Sequence, residues 1–278
     1  MTIDAELPLS LPLAPPPPHV ETVAAPGPST PRFGALKALI AFFLLLFAQL
    51  SAGIFVMLVA LLSGVARGKD VANSSVVSGL ITDAMPALLF ASGAFSTAAV
   101  LAIARAWAWP AVLDRSAEGI GLNRAQPRAI ALWAIAGTVI SALYMSGVQW
   151  LVPPDPSTPA GPLAQAAASG GLNRVMWIVL ALLFAPLVEE FFFRGVLLKG
   201  FTNSWGLWPG AIVTTILFVL LHLMETIHYW PATVAVTAMA IAVFVARKTT
   251  GSLVPPIAMH FSYNLTIVLF STGISMFG

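Results

Sequence analysis

Seven apolar stretches follow one another along the chain, and each is long enough, or nearly long enough, to cross a lipid bilayer. A membrane-spanning helix needs about 20 mostly apolar residues. Only 9% of the 278 residues are charged and 58% are hydrophobic, which is too little charge to cover a soluble protein of this length. The sequence therefore predicts an all-α, polytopic bundle of about seven transmembrane helices. The predicted spans lie near residues 36–63, 84–106, 128–151, 174–200, 209–226, 230–248 and 253–276.

The first 34 residues have a different composition, because prolines recur throughout them and include the run Pro15–Pro18. Such a segment cannot form a regular helix and has little apolar surface to bury. We expect residues 1–34 to be a disordered, proline-rich tail and residues 35–278 to form the transmembrane domain. The chain has no cysteine, which excludes disulfides, thiolate catalysis and cysteine metal sites. Its net charge of +2 is too small to indicate a nucleic-acid partner.

The basic residues predict the orientation of the bundle in the membrane. Cytoplasmic loops of membrane proteins carry an excess of Lys and Arg. A cytoplasmic N-terminus places most of the basic loop residues on the cytoplasmic side and leaves only Arg67, Lys69 and Arg174 outside. We therefore expect a multi-pass protein of the plasma (inner) membrane with its N-terminus inside and its C-terminus outside.

Five ionisable side chains and one asparagine lie in the interior of the predicted spans, away from their ends, and call for an explanation. A charged residue at the centre of a membrane helix costs at least about 2.5–3.5 kcal/mol, so it needs a structural or functional reason. All six lie in the C-terminal half, on the fourth, fifth and seventh spans, and the predicted functional region is 174–276. They are Glu189, Glu190 and Arg194, then His222, and finally His260 and Asn264.

The depths of three of these residues agree. Alternating spans bring the ends near Gly200, Pro209 and Thr250 to the same side of the membrane. Glu189, His222 and His260 lie about 10 to 13 residues from those ends. At a helical rise of 1.5 Å per residue these depths are about 15–20 Å. The three side chains could therefore converge in one layer of the bundle.

The spacing of the polar residues suggests their roles. Glu190 and Arg194 are four residues apart, so they lie on one helix face and can form an ion pair, which we interpret as structural support. Glu189 points about 100° away and has no cation at that spacing. A buried carboxylate of this kind suits a general base. His260 and Asn264 are also four residues apart and can face one cavity.

Three short motifs carry a resemblance to a known family. They are Glu-Glu-x-x-x-Arg at residues 189–194, Phe-x-x-x-His at 218–222 and His-x-x-x-Asn at 260–264, each on an apolar helix. In this order and without substitution, they resemble the motifs of the CPBP family of intramembrane peptidases. This family, also called Abi or CAAX protease-like, includes the type II CAAX prenyl endopeptidases. The resemblance covers roughly residues 174–276.

This resemblance implies an intramembrane endopeptidase. Glu189 occupies the position of the base that activates the attacking water, and the position of His222 helps to hold that water. The positions of His260 and Asn264 stabilise the oxyanion, a role for which hydrogen-bond donors in a dry cavity are well suited. The implied substrate is a hydrophobic or lipidated peptide, such as a prenylated or leader peptide, reached from the lipid bilayer.

Two questions stay open from the sequence. The family has been described both as metalloproteases and as metal-independent glutamate proteases, and Glu189, His222 and His260 could form a His-His-Glu site for a divalent metal such as zinc. We favour activation of water without a metal. The alternatives to a peptidase are a non-catalytic membrane scaffold or immunity protein and an ion- or proton-coupled transporter, although the absence of an internal repeat weakens the transporter reading.

Overall fold

A computed structural model shows a helical bundle. It describes residues 33–116, 119–155, 168 and 170–277, with side chains up to residue 271. Within these ranges the chain forms eight helices and no strand. They are α1 (Ala35–Ala66), α2 (Ser74–Leu113), α3 (Pro127–Leu151), α4 (Gly171–Trp205), α5 (Leu207–Leu221), the single turn α6 (Leu223–Thr226), α7 (Trp230–Thr250) and α8 (Val254–Phe277).

The predicted all-α membrane bundle is confirmed. Five helices, α1 to α4 and α7, are long and apolar enough to cross a membrane, and α5 is apolar but shorter. The last predicted span falls on α8. The boundaries differ most in α2, which begins ten residues before the predicted start at 84. Its N-terminus is capped by Asn73, whose side chain accepts a hydrogen bond from the Ser75 backbone N–H at 2.9 Å.

The outer surface of the bundle is apolar. Large hydrophobic side chains point outward along the helices, with Leu36 72% exposed, Phe47 69% exposed and Trp150 80% exposed. Water would disfavour such a surface, whereas the acyl chains of a bilayer match it. The exposed side chains therefore agree with an integral membrane protein.

Phenylalanines fill the core next to the polar motifs. Phe192, Phe193 and Phe218 are each 0% exposed. The Phe193 and Phe218 rings meet edge to face with their centroids 5.1 Å apart, and Phe42 of α1 contacts Phe193 at 6.3 Å. Edge-to-face pairs of this kind stabilise a core beyond the area they bury. They join α1, α4 and α5 around the predicted site.

Small residues bring α3 and α8 into close contact. Gly137 and Ser141 are buried on α3, and a Cβ atom at Gly137 would collide with the carbonyl oxygen of Met259. The Ser262 hydroxyl donates across the interface to the Ala134 carbonyl at 2.6 Å. Small residues at such spacing let membrane helices approach closely. This contact places α8, with the His260 motif, against the rest of the bundle.

The fifth and sixth predicted spans form the expected hairpin, because α5 and α7 pack against each other. The predicted span 209–226 is not one helix, however. Helix α5 ends at Leu221, and α6 is a separate turn. His222 lies at the break with φ −92° and ψ −1°, and its N–H bonds the Val219 carbonyl at 3.1 Å. The histidine of the second motif therefore sits at a helix end.

The predicted tail at residues 1–34 lies outside the described residues except for its last two, so its disorder stays a prediction. Phe33 is only 5% exposed, and its carbonyl accepts a hydrogen bond from the Asn203 side chain at 2.9 Å. The Ala35 N–H donates to the Ser204 hydroxyl at 2.8 Å. These bonds fix the start of α1 to the end of α4.

Candidate active site

A cavity of about 860 Å³ lies inside the bundle. Side chains of α1 to α4, α7 and α8 line it, together with the α5–α6 junction. Most of the exposed wall is apolar, and polar side chains of several helices interrupt it. All four residues predicted to be catalytic, namely Glu189, His222, His260 and Asn264, lie on this wall. The structure thus brings together the three motifs that the sequence placed on separate helices.

The first motif lies on an unusual stretch of α4. Residues Leu180–Leu197 form a π-helix with Pro186 inside it. In a π-helix each N–H donates to the carbonyl five residues earlier, and such turns are rare but frequent at functional sites. The wider winding was not predicted, because the four-residue spacing of the motif is compatible with both helix types.

Glu189 faces the cavity from this π-helix. Its side chain is 21% exposed, and its Oε2 atom has no hydrogen-bond partner among the described residues. The Oε2 atom lies 3.7 Å from His222 Nε2. That distance is longer than a direct hydrogen bond but suits two groups that contact the same small molecule. The predicted proximity of Glu189 and His222 is therefore present.

His222 is held by the phenylalanine of its own motif. Its Nδ1 lies 2.9 Å from the Phe218 carbonyl oxygen, and its ring stacks on the Phe218 ring at 4.5 Å. A carbonyl oxygen can only accept, so Nδ1 carries a proton and donates it. In the neutral ring, Nε2 then presents its lone pair toward Glu189. The four-residue spacing of the motif thus sets both the orientation and the tautomer of the ring.

Glu190 forms a buried network away from the cavity. It is 0% exposed, and the predicted ion pair with Arg194 is confirmed at 3.2 Å. Arg194 also donates to the Ala240 carbonyl at 3.0 Å, and its guanidinium lies over the Phe218 ring at 4.3 Å. The same carboxylate oxygen accepts from His260 Nδ1 at 2.8 Å. Glu190 therefore links α4 to α7 through Arg194 and to α8 through His260.

The Glu190 contact changes how His260 is understood. The predicted depths allowed His260 and Glu189 to converge, and both line the cavity, but His260 Nδ1 forms its hydrogen bond with the neighbouring carboxylate of Glu190. His260 is 2% exposed and lies on the cavity wall, which Glu190 does not. Glu190 therefore orients the ring, and Nε2 is the nitrogen left for chemistry in the cavity.

Asn264 makes a contact that the motif did not predict. Its Nδ2 donates to the main-chain carbonyl of Ala181 on α4 at 2.8 Å. One of its two N–H groups is thereby used between helices. The predicted oxyanion role of Asn264 stays a prediction, and it depends on the second N–H.

Sequence reasoning did not single out several polar residues of the cavity. Tyr144 and Tyr263 line it, and Tyr263 is only 4% exposed. Gln49 of α1 and Ser96 of α2 also lie on the wall and bond each other at 3.2 Å. The sequence did offer a clue to Tyr263, because it follows His260 by three residues and so lies on the same helix face. It is also one of only three tyrosines in the chain. Gln49 is a long polar side chain within an otherwise apolar span.

The predicted metal ligands are not arranged as a ligand group. Among the described residues, no cluster of three or more His, Asp or Glu side chains could hold a metal ion. Glu189 and His222 approach each other, but His260 binds Glu190 through Nδ1. Neither histidine contact excludes a metal, because a metal-bound histidine commonly donates its other ring N–H to a carboxylate or a main-chain carbonyl, and metal dependence stays open to experiment.

Comparison with known proteins agrees with the three motifs. Residues 171–266 match the family model described as Type II CAAX prenyl endopeptidase Rce1-like. A protein of Escherichia coli described as an uncharacterized 24.3 kDa protein is 30% identical over 98 residues. The aligned region covers 34% of this chain and 44% of the Escherichia coli protein, so the chain spans less than half the length of that relative. No solved structure matches significantly. The predicted resemblance to CAAX-type intramembrane proteases is thus confirmed for this segment.

Proposed function

We propose that this integral membrane protein is an endopeptidase that cleaves membrane-associated peptides with a water molecule activated by Glu189 and His222. The observation that carries the proposal is the pair of Glu189 Oε2 and His222 Nε2, 3.7 Å apart on the wall of a cavity inside the bundle. The match of residues 171–266 to a CAAX endopeptidase family supports this reaction class.

Both members of the pair are proton acceptors. A water molecule between them can donate one hydrogen to the Glu189 carboxylate and the other to His222 Nε2. Its oxygen lone pair is then directed at the carbonyl carbon of a bound peptide. Glu189 takes the proton as the O–H bond breaks and the new C–O bond forms, which is general base catalysis.

The attack places negative charge on the carbonyl oxygen of the peptide. His260 Nε2 can donate to this oxygen when its ring is an imidazolium, because Nδ1 already donates to Glu190, and the second N–H of Asn264 is an alternative donor on the same wall. Such donors are worth several kcal/mol when they are preorganised in a water-poor site. The C–N bond then breaks as Glu189 returns its proton to the leaving amine, and the products are a carboxylic acid and an amine.

The cavity indicates the substrate class. Its wall is mostly apolar, and its volume of about 860 Å³ exceeds that of a single side chain many times over. Apolar pockets with a few converging polar groups bind apolar ligands in a defined orientation. We expect a hydrophobic or lipidated peptide, such as a prenylated or leader peptide, that enters from the bilayer of the inner membrane. The cytoplasmic N-terminus is part of this proposal.

The test is cleavage by purified protein in lipid nanodiscs. A panel of membrane-anchored peptides, prenylated and unmodified, is incubated with the wild type, with Glu189→Gln and with Asp83→Asn. Asp83 is the matched control, because this carboxylate is exposed on α2 and is not on the cavity wall. Glu189→Gln should lose cleavage but retain peptide binding, and Asp83→Asn should behave as the wild type.

The same assay separates the alternatives. Cleavage that survives a chelator is expected, whereas loss that is restored by zinc would favour a metallopeptidase. A scaffold would bind peptide without cleaving it in the wild type. Ion or proton flux that depends on Glu189 in proteoliposomes, without cleavage of any peptide, would support a transporter instead.

A further inference from the structure

Pro186 interrupts the hydrogen bonding of the π-helix just before the first motif. In a π-helix the carbonyl of Ala181 would accept from the N–H of the residue five positions later. That residue is Pro186, which has no N–H. A main-chain carbonyl without a donor is unfavourable inside a membrane protein, because no bulk water can replace the donor.

Asn264 of α8 supplies a donor to this carbonyl. Its Nδ2 lies 2.8 Å from the Ala181 carbonyl oxygen. The bond joins α8 to α4 near Pro186, and Glu189 follows Pro186 by three residues. The side chain that binds the Ala181 carbonyl therefore belongs to the same helix as His260. The Asn264–Ala181 hydrogen bond thus couples the π-helical turn of α4 to the position of the His-x-x-x-Asn motif on α8.

We propose that Asn264 is a positioning residue, which satisfies the carbonyl left without a donor by Pro186 and thereby holds the π-helical turn that directs Glu189 into the cavity. This inference rests on the proposed function only where turnover is concerned. The structural part, that Asn264 compensates for Pro186, stands on its own. It differs from a direct oxyanion role, in which the amide acts on the substrate and residue 186 is irrelevant.

The test is a double-mutant cycle between positions 186 and 264. The variants are Asn264→Ala, Pro186→Ala and the combination of the two. Alanine at 186 restores an N–H that can donate to the Ala181 carbonyl. The matched control combines Asn264→Ala with Pro86→Ala, since Pro86 also interrupts a membrane helix but lies in α2, off the cavity wall. Each variant is measured by thermal unfolding in detergent and by peptide cleavage.

A third measurement reports the position of residue 189 without requiring turnover. The chain has no cysteine, so a thiol reagent labels only an introduced Glu189→Cys. The labelling rate is compared in the wild-type, Asn264→Ala and Asn264→Ala/Pro186→Ala backgrounds. A displaced α4 turn should change this rate several-fold, and restoration of the turn should return it to the wild-type value.

The expected result is that Asn264→Ala lowers the folding equilibrium constant about 10-fold, the typical effect of leaving a buried carbonyl unsatisfied, and lowers turnover because the displaced α4 turn moves Glu189. Pro186→Ala should recover most of both losses and the labelling rate, whereas Pro86→Ala should recover none. Recovery of stability without recovery of turnover would assign Asn264 a direct role on the substrate and overturn the proposal. The proposal would also be overturned if Asn264→Ala/Pro186→Ala and Asn264→Ala/Pro86→Ala had the same stability and turnover. If the wild type cleaves no peptide, the proposed function fails, and the unfolding and labelling cycles still decide the role of Asn264.

Discussion

Removal of the Glu190 carboxylate should unfold the bundle far more readily than removal of its neighbour Glu189. Glu190 is 0% exposed and accepts from both Arg194 at 3.2 Å and His260 at 2.8 Å. Glu190→Ala leaves the guanidinium of Arg194, itself 2% exposed, without its ion-pair partner. Removing one partner of a buried ion pair costs about 3–5 kcal/mol. For a domain of this size each kcal/mol corresponds to about 2–4 °C, so the melting temperature should fall by about 10 °C.

Glu189→Ala is the adjacent control. The Glu189 side chain is 21% exposed, and its Oε2 atom lies 3.7 Å from His222 Nε2, which is longer than a direct hydrogen bond. Its removal breaks no direct hydrogen bond from the described residues to Oε2. Most substitutions away from buried networks change stability by about 0.5 kcal/mol or less. The melting temperature of Glu189→Ala should therefore stay within about 2 °C of the wild type.

The assay is thermal unfolding in detergent, followed by the fluorescence of the eight tryptophans. A further variant, Glu190→Met/Arg194→Met, removes both charges and fills a similar volume. Replacement of a buried pair by apolar groups is often neutral, so this variant should regain most of the lost stability. It should stay inactive, because His260 Nδ1 has lost its acceptor. Equal melting temperatures for Glu190→Ala and Glu189→Ala would refute the assignment of one carboxylate to structure and the other to chemistry.

Two further predictions concern the α3–α8 contact and the cavity wall. Gly137→Ala should destabilise the protein by about 1–3 kcal/mol, because the added methyl group overpacks against the Met259 carbonyl. The measurement is the melting temperature, which should fall. An unchanged melting temperature would mean that α3 and α8 can move apart without a loss of stability. Tyr263→Phe should leave the melting temperature unchanged or slightly raised, because no hydrogen bond joins the Tyr263 hydroxyl to any residue in the described part of the chain. A drop of more than about 1 kcal/mol in Tyr263→Phe would show that the hydroxyl has a partner in the folded protein.

Much of the fold could be read from local patterns. A bilayer requires long apolar helices, so hydropathy alone located the helices, although α2 begins ten residues before and ends seven residues after its predicted bounds, and the predicted span 209–226 is broken after Leu221. The Glu190–Arg194 pair followed from the four-residue spacing on one helix. Both inferences succeed because the physical cause acts between residues that are close in sequence or between one segment and its solvent.

The sequence by itself also singled out six polar residues that the structure places in the cavity wall or in the network behind it, because polar groups in membrane helices stand out against an apolar background. It did not determine their partners. Only the tertiary structure decided that His260 binds Glu190 and not Glu189, and that Asn264 reaches the Ala181 carbonyl. Those contacts depend on how α4 and α8 are rotated against each other and on the π-helical winding of α4, and neither quantity is encoded in the spacing of residues within one helix.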